Sequence, residues 1–144
     1  AENAINDALN SGNPAYQNAA LTALGKLGND EKIPTLIEFL KNPENKTMRK
    51  DAYKSIDEIL NTARERDSDE LKNLWQALTN TAETDAEKEF IIGGLAMQKY
   101  EWAIPLLSPF TKGESDRIID YAERAIRKVE KAVGNNEPNA TDSK

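Results

Sequence analysis

Apolar side chains recur every three or four residues along most of the chain, and these runs break at Gly, Pro, Asn and Asp. Ile5, Ala8 and Leu9 predict a first helix within residues 1–11, with Gly12 as its stop. Asn13 is a good N-cap, and Pro14 stands where the first helical N–H would be unpaired anyway. The second helix is expected to reach Leu27 and end at Gly28, burying Ala19, Ala20, Ala23, Leu24 and Leu27. Asp30 is expected to cap a third, with Pro34 in its first turn and Ile33, Leu36, Ile37 and Leu40 in one stripe.

Asn42-Pro43-Glu44-Asn45 reads as a turn. Thr47 then opens a helix that presents Met48, Ala52, Ser55, Ile56 and Ile59 and extends to about Arg66. Asp67-Ser68-Asp69 breaks and recaps the chain ahead of Leu71, Leu74, Trp75 and Leu78. Thr84 and Glu87 have capping-box spacing, and Phe90, Ile91 and Leu95 line the helix that follows. A Pro-bearing helix spans Glu101 to Lys112, where Pro109 kinks or shortens it. Ser115 caps the last helix, with Ile118, Ala122, Ala125, Ile126 and Val129 inward. Residues 1–133 thus read as one domain, and the tail 134–144 lacks apolar periodicity and is expected to be disordered.

The pattern repeats. Pro34 and Pro105, Leu24 and Leu95, and Phe39 and Phe110 are each 71 residues apart, and Met48 and Ile118, Ala52 and Ala122, and Ile56 and Ile126 are each 70 apart. Each interval is about twice a 35-residue helix pair. NPAYQNAALTALGKLGN followed by KIPTLIEFL, with AIPLL in the second copy, resembles the short HEAT-like repeats of phycobilisome-lyase-type HEAT proteins. The resemblance covers roughly residues 1–133. It implies an all-α fold, an α-α superhelix or solenoid of about four antiparallel helix pairs, stacked because no pair can bury its stripe alone. It also implies that the second helix of each pair lines an inner, concave layer.

Composition narrows the chemistry. With 31% charged residues and a net charge of −6, the chain resists non-specific attraction to phosphate backbones. It has no Cys and no His, which removes thiolate nucleophiles, disulfides, His- or Cys-ligated zinc and the usual neutral-pH proton shuttle. The start at Ala1 fits either a processed, exported chain or an excised one, and no apolar run approaches the roughly 20 residues that span a bilayer. Asp67, Ser68, Asp69 and Glu70 lack the spacing of a calcium loop and read as helix capping. Ile92-Gly93-Gly94 lies inside a helix, where glycine permits close packing. Trp75 is expected in the core and Trp102, at a helix start, partly outside it. Asn45-Lys46-Thr47 and Asn139-Ala140-Thr141 are glycosylation sequons in a secretory setting.

No constellation for catalysis, cofactor binding or metal ligation emerges, so the expected function is a non-enzymatic protein–protein interaction or scaffold module. Aligning the second helices on Ala20, Ala52, Ile91 and Ala122 puts Gln17, Arg49, Lys88 and Ile119 three positions before the anchor. Leu21, Tyr53, Ile92 and Glu123 follow it by one, and Thr22, Lys54, Gly93 and Arg124 by two. The expected partner-binding residues are Gln17, Arg49, Tyr53, Lys54, Lys88 and Arg124, facing a protein or an acidic, extended peptide, with Tyr53 as an anchor. The alternative is polyanion or nucleic-acid binding by the same cationic ridge, against which the net charge argues.

Overall fold

A computed structural model describes residues 2–62 and 64–136. Eight α-helices and no strand occur among the described residues: α1 (Glu2–Leu9), α2 (Pro14–Leu27), α3 (Ile33–Lys41), α4 (Arg49–Leu60), α5 (Ser68–Thr79), α6 (Asp85–Ala96), α7 (Ala103–Leu107) and α8 (Asp116–Asn136). The expected all-α class holds. The chain forms two compact units, unit 1 over Ala1–Glu65 and unit 2 over Arg66–Lys144.

Several of the predicted caps form. Asn13 Oδ1 accepts the N–H groups of Ala15 and Tyr16 at 2.9 and 3.4 Å, with Pro14 opening α2. Gly28 closes it at φ 64°, a left-handed conformation that glycine adopts without steric cost. Thr84 and Glu87 make the reciprocal capping box of α6, and Asp67 accepts the Asp69 N–H at the start of α5. Pro109 shortens its helix as expected: α7 stops at Leu107, and a 3-10 turn follows over Ser108–Lys112.

Four expectations need correction. Asn29, not Asp30, supplies the cap ahead of α3, accepting the Glu31 N–H at 2.9 Å above a 3-10 turn over Asp30–Lys32. Asp30 is instead buried and ion-paired with Arg64. The helix expected from Thr47 to Arg66 is shorter, because Pro43–Met48 winds as a 3-10 segment and α4 spans only Arg49–Leu60. At the other end α8 continues to Asn136, past the boundary set at residue 133, and residues 137–144 lie outside the described residues.

The fourth correction concerns which face of α2 is buried. Gln17, Ala20, Leu21, Leu24 and Gly25 are inside, whereas Ala19 and Leu27 are exposed. The buried stripe is therefore turned by about one residue, or 100°, from the alanine-centred one. Gln17 fixes it: its Nε2 donates to Leu9 O and to Asn45 Oδ1, both at 3.1 Å, and so draws α2 against α1 and the 3-10 segment before α4.

In unit 1, α2 packs on α1 and α4, and α3 on α4, around Leu9, Leu21, Leu24, Ile33, Leu36, Leu40, Ile56 and Ile59. In unit 2, α6 packs on α5, α7 and α8, around Trp75, Leu78, Ile91, Ile92, Leu95, Leu107 and Val129. Gly94 of α6 belongs to that core, since a β-carbon there would stand 2.0 Å from Cη2 of Trp75. The glycine in mid-helix is what lets the outer edge of the indole come up against α6.

Candidate functional site

The second helices of successive pairs lie side by side within each unit, α2 with α4 and α6 with α8. Between α2 and α4 runs a cleft of about 250 Å³ lined by Asn18, Leu21, Thr22, Lys26, Asp51, Lys54, Ser55 and Glu58. Its floor is sealed by the Ser55 hydroxyl, which donates to Leu21 O at 2.7 Å. Among the described residues, the side chains of Asn18, Lys26, Asp51 and Lys54 make no hydrogen bond or ion pair within the fold. Two cations, Lys26 of α2 and Lys54 of α4, thus share a polar cleft with two carboxylates of α4, Asp51 and Glu58.

The α6–α8 surface has a different chemistry. Arg117 Nε lies 3.2 Å from Glu89 and its Nη2 3.9 Å from Asp85. Arg124 pairs with Asp120 at 3.1 Å and lies over the Tyr121 ring, 5.8 Å from its centroid. The Lys128 ammonium stands 3.4 Å from Sδ of the exposed Met97. Arginines 117 and 124 are therefore locally neutralised, and no unbroken cationic ridge runs along α8.

Of the six expected contact residues, three turn inward. Gln17 carries the buried bonds already described. Arg49, only 7% exposed, donates from Nη1 to Leu40 O, one of the carbonyls left open where α3 ends, and its guanidinium lies 5.9 Å from the Tyr53 ring centroid. A cation at a helix C-terminus satisfies those carbonyls and complements the helix dipole. Tyr53 is buried beneath it. These three side chains hold unit 1 together and are withdrawn as partner contacts. Lys54 and Arg124 are exposed, and Lys88 is half-buried.

The register that faces solvent is the one two positions after the anchor: Thr22, Lys54 and Arg124 are exposed, and Gly93 is half-buried. Sequence reasoning missed Asn18, Lys26, Asp51 and Glu58. Asn18, Thr22 and Lys26 share one i, i+4 row, so a row count from the exposed register would have found them.

Other candidates resolve structurally. The Asn45 sequon is closed in the folded chain, because the Asn45 carboxamide is buried, donating to Phe39 O at 3.0 Å and accepting from Gln17. The second sequon, at Asn139, lies outside the described residues. Trp75 is core, 6.3 Å from Phe90 ring to ring. Trp102 is half-buried; it stacks on Tyr100 at 5.5 Å and donates from Nε1 to Ser68 Oγ at 2.9 Å. Among the described residues no group of three or more acidic side chains is placed to hold a metal ion, and no helix is long and apolar enough to cross a membrane.

A family model described as HEAT repeats matches residues 2–92, more than half of the chain. Comparison with curated proteins and with solved structures gave no significant match. HEAT repeats generally mediate protein–protein interaction and typically serve as non-enzymatic scaffolds. With four helix pairs among the described residues, the capped Pro-bearing helices and the match over residues 2–92, the chain belongs to the HEAT repeat family of all-α solenoids.

Proposed function

We propose that the protein is a non-enzymatic interaction module that takes an extended protein segment in the α2–α4 cleft. The observation that carries this reading is the cleft's lining. Lys26, Lys54 and Asp51 stand free along it while the residues that maintain the fold lie beneath. Alternating charges along a cleft select a peptide of complementary alternation, and they order its register more than they add to affinity. The side-chain amide of Asn18 and the hydroxyl of Thr22 can bond to the peptide backbone. The carboxylates in the cleft and the paired arginines on α8 count against a polyanion.

The test uses a peptide selected from a random displayed library against the whole chain and then fluorescently labelled. Lys26→Glu with Lys54→Glu is expected to weaken its binding by about tenfold or more, the scale for loss of two exposed charge contacts with reversal. The melting temperature should be unchanged. Unaltered affinity, or amide shifts on peptide addition that avoid α2 and α4, would refute the cleft assignment.

A further inference from the structure

Between α1 and α3, which rest on α2 and α4, lies a cavity of about 360 Å³ that shares no lining residue with the α2–α4 cleft. Its walls are held at a fixed spacing by a buried chain of hydrogen bonds. Gln17 Nε2 donates to Leu9 O of α1 and to Asn45 Oδ1, and Asn45 Nδ2 donates to Phe39 O of α3. Leu9 and Phe39, the two residues whose carbonyls this chain of bonds grips, form the apolar floor. The cavity is therefore set before anything enters it, which lowers the ordering cost of binding.

The rim is made of carboxamides. Four of the eight lining residues are asparagines, and among the described residues no cation lines the cavity. Asn6 is the telling one. It sits in the middle of α1, where asparagine is a poor helix former, and it is half-buried. Among the described residues its side chain nevertheless makes no hydrogen bond within the fold. Asn10, four residues on, is likewise unbonded, and so is Thr35 on the opposite wall. Asn42 uses only its Oδ1, which accepts the Glu44 N–H at 3.0 Å, and keeps its amide group to give. The one charge, Glu38, is exposed and pairs with Lys41 at 3.4 Å.

A carboxamide holds donors and an acceptor side by side, which matches a pair of ring hydroxyls, each giving one hydrogen bond and taking others. Nothing in the lining would neutralise a phosphate or a carboxylate, so the ligand is uncharged. The apolar floor suits the C–H face of a sugar ring, and the volume falls in the lower part of the range for small-molecule sites, about 300–1,000 Å³. We propose that the α1–α3 groove is a binding site for an uncharged mono- or disaccharide, with Asn6, Asn10, Asn42 and Thr35 bonding its hydroxyls over Leu9 and Phe39. The site stands or falls independently of peptide binding in the α2–α4 cleft.

An amide-resolved NMR titration of the whole chain tests it, with methyl glucoside, methyl galactoside, N-acetylglucosamine, maltose, cellobiose and lactose, each to about 50 mM to cover millimolar affinity. At least one sugar is expected to give saturable shifts on α1 and α3, including the side-chain NH2 signals of Asn6 and Asn10. Asn6→Ala and, separately, Asn10→Ala should weaken that sugar about fivefold, the scale of one lost hydrogen bond. Their melting temperatures should not fall, because neither carboxamide bonds within the fold. N-acetylated tetraglycine amide, which offers backbone amides without hydroxyls, is expected to leave these signals in place. The lack of a saturable shift with every sugar of the panel would overturn the proposal. So would shifts that avoid α1 and α3, or unchanged affinity in either variant. Tetraglycine binding in place of the sugars would also overturn it and assign the groove to a peptide backbone.

Discussion

Unit 1 buries Gln17, Asp30, Asn45, Arg49 and Ser55, whereas Thr81 is the one buried polar side chain of unit 2 among the described residues. The contrast follows from how their helices end. In unit 1 the short α1 and α3 finish inside the fold, so carbonyls of Leu9, Phe39 and Leu40 need donors, and Gln17, Asn45 and Arg49 provide them. Unit 2 relies on shape, with Trp75 laid on Gly94 and the Tyr121 hydroxyl 2.9 Å from where a Gly93 β-carbon would stand. Two units built from one motif thus reach a specific core by different routes, hydrogen-bonded termini in one and interlocking volumes in the other.

The sharpest break falls on the shape side. Gly94→Ala drives a β-carbon into the ring of a buried indole and should cost about 3 kcal/mol, the upper range for overpacking, read as a drop in the denaturant midpoint. A cost below 1 kcal/mol would mean that the indole moves easily and that shape does not specify unit 2. Next comes Arg49→Met, which keeps the apolar stem but strands Leu40 O; a loss of about 2 kcal/mol is expected. The exposed Arg124→Met is its control, with a change within about 0.5 kcal/mol for an i, i+4 pair in water. Equal effects from the two arginines would erase the distinction between the units. Ser55→Ala removes one buried hydrogen bond and should cost about 1 kcal/mol. The smallest effect is expected for Gly25→Ala, where the new methyl meets only the flexible Glu58 side chain at 3.3 Å. Gain in helix propensity and local crowding should leave stability within about 1 kcal/mol of wild type.

What could be read in the sequence was what periodicity and capping encode. The caps at Asn13 and Thr84, the stops at Gly28 and Pro109, and the stripes of α3, α5 and α8 follow from local chemistry. The polar core did not. Gln17 and Arg49 look like surface residues on any hydropathy scale, and the open carbonyls of Leu9 and Leu40, at the ends of the helices just before them, draw them inside, with Tyr53 buried beside the Arg49 guanidinium. The same blindness turned α2 the wrong way. Its alanines promise an interior, but burial went to the face where a glutamine could reach Leu9 O and Asn45. The candidate cleft was half legible: the register count reached Lys54, which is exposed and lines the cleft, whereas Lys26 and Asp51 were invisible until the neighbouring helix fixed which row faced outward.

Both tryptophans belong to unit 2, and unit 1 has none. Trp75 is buried with its indole N–H unpaired, and Trp102 gives its own to Ser68 at the surface. Intrinsic tryptophan emission therefore reports on one half of the chain alone, with a blue component from Trp75 and a redder one from Trp102. Far-UV ellipticity sums over every helix. A thermal melt followed by both signals reads whether the two halves come apart together: coincident curves mean one cooperative transition, and an ellipticity change without an emission change is unit 1 opening by itself.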